Sequence, residues 1–288
     1  MAARPPLRAV QGGSDPNMRI SGFGHALLGT AVAGIALLCL VYGDFTPMAD
    51  PLPASLPWAT VCEFALGALL LAASAGLFFA RTALASVWVI GLGELSWAVD
   101  RAHPVISKPL IVGSWYGVAE ALGPLMGAWT LYIVLRRQRG PATGNALEGD
   151  RALRVARGIF GAACVVYGAA HFAYATYTAA MVPACLPARM GFAYVTGACH
   201  AAAGFGLLFG ILPRLAATLE ATMMGLFGVM VWLPSFFMKP VPPWAPSPQV
   251  QWSETLVTFL LAASAWIIAA SLRSAPWSFS RVGRVRND

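Results

Sequence analysis

Five ionisable side chains fall inside long apolar stretches of this sequence: Glu94, Glu120, His171, His200 and Glu220. Holding such a group in hydrocarbon is costly, so each marks a ligand site, a proton path or a bond between helices. For His171 and His200, three kinds of chemistry stand side by side. A neutral imidazole can bond a neighbouring helix, contact a quinone or similar carbonyl ligand while exchanging a proton, or join a second imidazole on haem iron. Haem is disfavoured, because there is no C-x-x-C-H and no closely spaced His pair. For Glu94 and Glu120, no Arg or Lys is expected at comparable depth. That leaves proton carrying, a hydrogen bond to His, or a buried neutral acid. The two carboxylates read either as a site of their own or as part of the histidines' site. Glu220 is placed in the inner half of its apolar run. Glu63 and Glu254 lie so near the outer ends of their runs that solvation accounts for them, and His25 is similarly shallow on the inner side. No metal-ligand set, Walker A loop, dinucleotide fingerprint or nucleophile elbow is present.

The elements that must carry these residues are membrane spans. The chain has 288 residues, of which 58% are hydrophobic and 11% charged, with a mean hydropathy of +0.67. A soluble domain carries about 25% charged residues and could not hide so much apolar surface. Runs of about 20 apolar residues cross a bilayer. Eight are expected, at 23–43, 58–80, 82–99, 110–135, 156–178, 188–211, 214–235 and 252–272. The third is short. Pro124 is expected to kink the fourth.

An internal repeat organises the eight. Pro53, Pro57, Gly67, Gly76 and Leu77 stand opposite Pro183, Pro187, Gly197, Gly206 and Leu207 at a constant offset of 130. With small shifts, Gly34 and Phe45 face Gly161 and Phe172, and Ala128-Trp129 faces Ala265-Trp266. A repeat fixes architecture before any single helix is judged. The expected fold is all-α and polytopic, with eight transmembrane helices as two four-helix bundles in parallel orientation. The parts are a cytoplasmic tail (1–22), a first repeat (23–136), a cytoplasmic linker (137–155), a second repeat (156–273) and a basic tail (274–288). Residues 1–22 contain no signal-peptide pattern, so the first apolar run reads as a retained helix. The polar candidates do not obey the repeat, since His171 faces Asp44 and His200 faces Leu70. Any site is therefore expected once per chain.

The net charge of +7 describes topology rather than a nucleic-acid partner. Arg4, Arg8, Arg19, Arg81, Arg136, Arg137, Arg139, Arg151, Arg154, Arg157, Arg214, Arg273, Arg281, Arg284 and Arg286 fall on one side of the expected spans. Only Arg101, Lys108, Arg189 and Lys239 fall on the other. By the positive-inside rule both termini are cytoplasmic. The bilayer is the first partner, and anionic lipid suits the basic face. On the outer side, Trp58, Trp97, Trp115, Trp232, Trp244 and Trp252 read as an aromatic belt. The Pro-rich segments 44–57 and 236–251 either fold down as lids over the bundle mouths or simply end helices. Gly197, Ala201 to Gly204 and Gly206, and separately Gly117, Gly123 and Gly127, suit close helix contacts. The five cysteines, Cys39, Cys62, Cys164, Cys185 and Cys199, form no C-x-x-C and read as small packing residues. Only Cys62 and Cys185 fall near the outer face, where a disulfide could persist.

One set of residues carries a family resemblance. Gly168, His171-Phe172, Val182-Pro183, Leu186-Pro187, Thr196-Gly197, His200, Gly206-Leu207 and Arg214 resemble the pattern of the DoxX-like bacterial membrane proteins. The likeness covers roughly residues 155–272 well and 22–136 weakly. It implies a four-helix unit of the bacterial inner membrane and, from the namesake members, a link to quinone-dependent oxidation of reduced sulfur compounds. Many relatives carry a further His where this chain has Trp232, so a three-histidine site is not implied. Three functions are left open. The chain reads as a quinone-linked redox or accessory subunit that binds a small lipophile and meets a membrane or redox partner protein. Alternatively it is a proton-coupled transporter or channel for a small solute using Glu94 and Glu120, or a partner subunit without a ligand.

Overall fold

The computed structural model describes residues 21–44, 58–140 and 144–278. Every regular element among them is helical: α1 (Phe23–Tyr42), α2 (Ala59–Gly76), α3 (Ala83–Asp100), α4 (Ala102–Ser107), α5 (Val112–Gln138), α6 (Gly149–Ala173), α7 (Ala175–Met181), α8 (Arg189–Phe209), α9 (Pro213–Phe227), α10 (Leu233–Ser235) and α11 (Pro248–Ser271). A π-helical turn, Gly228–Trp232, joins α9 to α10. Taking α3 with α4, and α9 through α10, as single spans, eight helices are long and apolar enough to cross a membrane. The chain is an all-α polytopic membrane protein. Eight crossings return it to the face on which it began.

The helix ends follow local chemistry. Gly43, at φ 71°, stops α1 in a left-handed turn whose N–H donates to Cys39 O at 2.8 Å. Pro248 starts α11 behind Ser247, whose hydroxyl accepts from Val250 N. Two expectations change. The third span is extended by α4 to 25 residues. The fifth begins at Gly149 rather than 156, and the outer part of the expected run breaks off as α7. Pro124 lies inside the single helix α5. Of the linker, the described part is tied back to α5. Trp129 donates to Leu147 O, Tyr132 donates to Glu148, and Arg136 and Arg137 pair with Glu148 and Asp150 at 3.3 and 2.7 Å. Pro53 and Pro57, most of the 44–57 segment and the outermost tails lie outside the described residues.

Neighbour relations are the same in the two sets of four. Helix α1 lies against α2, α2 against α3 and α3 against α5, while α6 lies against α8, α8 against α9 and α9 against α11. The sets meet where α5 touches α6, where α11 touches α1, and where α5 crosses α11. The last helix of each set therefore borders both. Its most apolar window is 61% buried in α5 and 72% in α11, against 50% or less in the other spans. Large side chains such as Leu69, Leu92, Val195, Phe205 and Leu219 stay exposed on the outer flanks, as lipid-facing positions do.

Small residues set the tightest crossings. Gly161 meets Gly204 and Gly168 meets Gly197, so α6 and α8 touch backbone to backbone at two points two turns apart. A Cβ on Gly168 would come within 2.7 Å of Gly197 O, and one on Gly204 within 2.6 Å of Gly161 O. At the centre, Gly127 of α5 is pressed against Ser264 of α11, and Gly123 against Leu261. In the first set Gly67 faces Cys39 and Leu40 instead, and Ser74 donates to Gly29 O at 2.6 Å. Of the expected aromatic belt, Trp58, Trp115 and Trp252 are exposed, but Trp97, Trp232 and Trp244 are buried. The belt reading fails for these three because each finds a protein surface to cover. All five thiols are free, with Cys39 and Cys164 buried.

Candidate functional site

In the second set, α6, α8, α9 and α11 enclose a cavity of about 680 Å³ together with α5. It opens toward the face opposite the start of α1 and the end of α11. There Val182, Pro183 and Leu186 of the α7–α8 connection line its mouth, with Trp244 of the α10–α11 connection. Trp244 folds down onto Trp232, edge to face at 5.4 Å between ring centres, and Ala245 is fully buried. Gln251 anchors this turn through its amide, which donates to Ser235 O and Ala245 O. Within the 236–251 segment, Trp244 is thus the residue that closes on the cavity. The walls are otherwise apolar, with Met223, Met224, Phe227, Met230 and Leu261 among them.

Two polar groups break these walls. At one end His171 of α6 and His200 of α8 lie edge to face, 5.0 Å between ring centres. The glycine contacts of α6 and α8 make this possible, since a Cβ on Gly197 would strike the His171 Cβ at 2.7 Å. His200 Nδ1 is 2.8 Å from Glu220 Oε1 on α9, and both side chains are essentially inaccessible. The Glu220 Oε2 atom has no hydrogen-bond partner among the described residues, and Cys164 lies beside that carboxyl. His171 Nδ1 is 2.9 Å from Thr196 Oγ1 and 3.3 Å from Ala193 O.

At the other end, Glu120 of α5 and Glu254 of α11 both line the cavity, with Tyr116 and Tyr177. The two carboxyls are close enough to interact with each other and with Arg101. Arg101 reaches them by lying across Gly117, where a Cβ would be 3.2 Å from its side chain. The expectation that no cation approaches Glu120 is therefore corrected. So is the solvated reading of Glu254, which is half-buried against the cavity, and of Glu63, which is buried. Tyr167 joins the ends. It lies 5.9 Å from Tyr116 and 5.8 Å from His200, ring to ring, and its hydroxyl donates to Ala119 O at 2.7 Å.

Comparison with known proteins gives no match to this chain, neither a family model nor a curated protein nor a solved structure.

Of the five candidates, the structure brings His171, His200 and Glu220 together at one end of the cavity and Glu120 to the other. Glu94 is separate. It is buried between α3 and its neighbours, outside the cavity lining, and its Oε2 has no partner among the described residues. His25, in the first turn of α1, is buried rather than solvated, bonded to Leu77 O at 2.9 Å and to Ser21, which makes it a tie between α1 and the end of α2. Among the described residues no three His, Cys, Asp or Glu side chains converge as a metal site. Tyr116, Tyr167, Tyr177 and Glu254 are members that sequence reasoning missed. Their only signal is residue type, and near a helix end a Tyr or Glu has the look of an interfacial residue.

Proposed function

We propose that this chain is an integral-membrane binding protein for a small lipophile of quinone type, acting as a redox or accessory subunit. The observation that carries the reading is the cavity itself. It has the volume of a small-molecule pocket, apolar walls, and a few converging polar groups. A ring-bearing lipophile would leave its apolar body against Met230, Phe227 and Leu261 and present oxygens to the histidines. The resemblance of Gly168, His171, Thr196, Gly197 and His200 to the DoxX-like pattern supports the same reading. So does their meeting at one crossing. With it come the bacterial inner membrane, cytoplasmic termini, a duplicated four-helix unit and a membrane or redox partner protein.

The test is to purify the full chain from bacterial membranes in mild detergent and extract it with organic solvent. A quinone or its hydroquinone retained at a fixed ratio to protein, and quenching of Trp232 and Trp244 fluorescence when that lipophile is added back, are expected. A second reading, proton-coupled transport of a small solute, draws on Glu120 and Glu254 facing the same mouth near Arg101. Proton-coupled uptake by liposomes holding the chain, with no retained lipophile, would favour it. Neither signal would leave a partner subunit without a ligand.

A further inference from the structure

The two histidines do not offer the same chemistry to every ligand. His171 Nδ1 approaches two oxygens at once, Thr196 Oγ1 and Ala193 O. A carbonyl can only accept, and the Thr196 hydroxyl already donates to Phe192 O at 2.8 Å. With the hydroxyl proton on Phe192 O, Nδ1 carries the ring proton and donates to both. The Nε2 atom is then a bare lone pair. At His200, Nδ1 faces Glu220 Oε1. With Oε1 as the acceptor of this contact, the ring proton is on Nδ1 and Nε2 is left as an acceptor. Neither Nε2 has a partner among the described residues, and both rings line the cavity.

We infer that the histidine end of the cavity is built for a hydroxyl donor. Its ligand class is then a hydroxylated lipophile, a phenol or hydroquinone, taken in preference to the matching carbonyl or ether compound. This rests on the lipophile-binding reading and sharpens it. Quinone and hydroquinone share a shape, but only the second brings an O–H to two waiting lone pairs. A carbonyl oxygen in the same place would meet acceptors with no proton between them. Sites built around a substrate hydroxyl discriminate strongly against analogues that lack it. Glu220 and Thr196 act as positioning residues, each fixing which nitrogen of its imidazole is bare.

The test uses a pair of probes that involve no redox change, para-decylphenol and its methyl ether para-decylanisole. Each is titrated calorimetrically into the full chain in one detergent, with empty micelles subtracted. The phenol is expected to bind about tenfold more tightly, one hydrogen bond's worth. Glu220→Gln and Thr196→Val are each expected to move that ratio toward one. Equal affinities in the wild type, or a preference for the ether, overturn the inference while leaving a lipophile site in place. Binding of neither probe removes the lipophile-binding reading and the inference with it. A tenfold ratio that survives both substitutions overturns the assignment of the acceptor face to these two residues. Should a variant fail to fold, the wild-type ratio alone decides.

Discussion

His200 and Glu220 are inaccessible to solvent, so taking away one strands the other. A buried polar group left without its partner costs about 1–3 kcal/mol, whereas replacing both by apolar groups of similar size is nearly neutral. His200→Leu is therefore expected to lower the thermal midpoint clearly, and His200→Leu with Glu220→Leu to recover most of the loss. Both variants should fail to retain the lipophile, so melting curves and extraction run on the same preparations separate stability from binding. Glu94 behaves in the opposite sense. Its Oε2 has no partner among the described residues and it lies off the cavity. Glu94→Leu is expected to leave ligand retention intact and to keep or raise the melting temperature. A loss of proton-coupled uptake in that variant would instead speak for the transporter. At this scale the sequence could name His171, His200, Glu120 and Glu220 by their cost in hydrocarbon. It could not pair them, because His200 and Glu220 are on different helices and their meeting depends on how α8 and α9 rotate against each other. Glu254 escaped for a related reason. Near a helix end, nothing in residue type separates a carboxyl facing water from one facing a cavity.

The two-point contact of α6 with α8 positions the histidines. Gly168→Val would put a side chain into Gly197 O and the Ala201 backbone, which are too close for a Cβ alone. Side chains can repack around added volume for about 1–3 kcal/mol, but here backbone must move against backbone. The variant is expected to melt at least that much less stably and to lose lipophile retention even where it remains folded. Gly225→Ala on α9, which meets nothing within 4 Å, is the control that should do neither. Much of this contact was legible beforehand: the small residues of α8 stood out as a packing run, and the spans themselves were readable from hydropathy to within about eight residues at their ends. The partner face on α6 was not, since Gly161 and Gly168 are spaced by seven with bulky residues between them. The π turn was also hidden. It widens α9 beside Met230 and Trp232, which line the cavity, and such turns recur at functional sites.

For the whole molecule, the sorting of basic residues orients the proposal. Arg136, Arg137, Arg154 and Arg214 lie at the face where α1 starts and α11 ends, while Arg101, Lys108, Arg189 and Lys239 lie toward the opposite face. Reporter fusions at the α5–α6 connection and after residue 278 should both report the cytoplasm. A periplasmic signal from either would reverse or break the topology, and would place the cavity mouth on the other side. That the spans number eight was readable from hydropathy. The sharing of α5 and α11 between sets was not, because sequence spacing says which helices are consecutive and nothing about which are central.

That sharing bears on how the molecule is made. The ribosome delivers α1 first and α11 last, yet α11 ends up beside α1 and across α5. The first four spans must therefore stand in the bilayer with one flank against lipid until the final helix arrives. Glycines such as Gly24, whose missing Cβ leaves room for Ile267, and Gly34, held against Leu256, have nothing to fit until then. Synthesis of this chain is less a sequence of finished parts than a wait for its last helix, during which the membrane-insertion machinery has to keep an open seam from closing on the wrong neighbour.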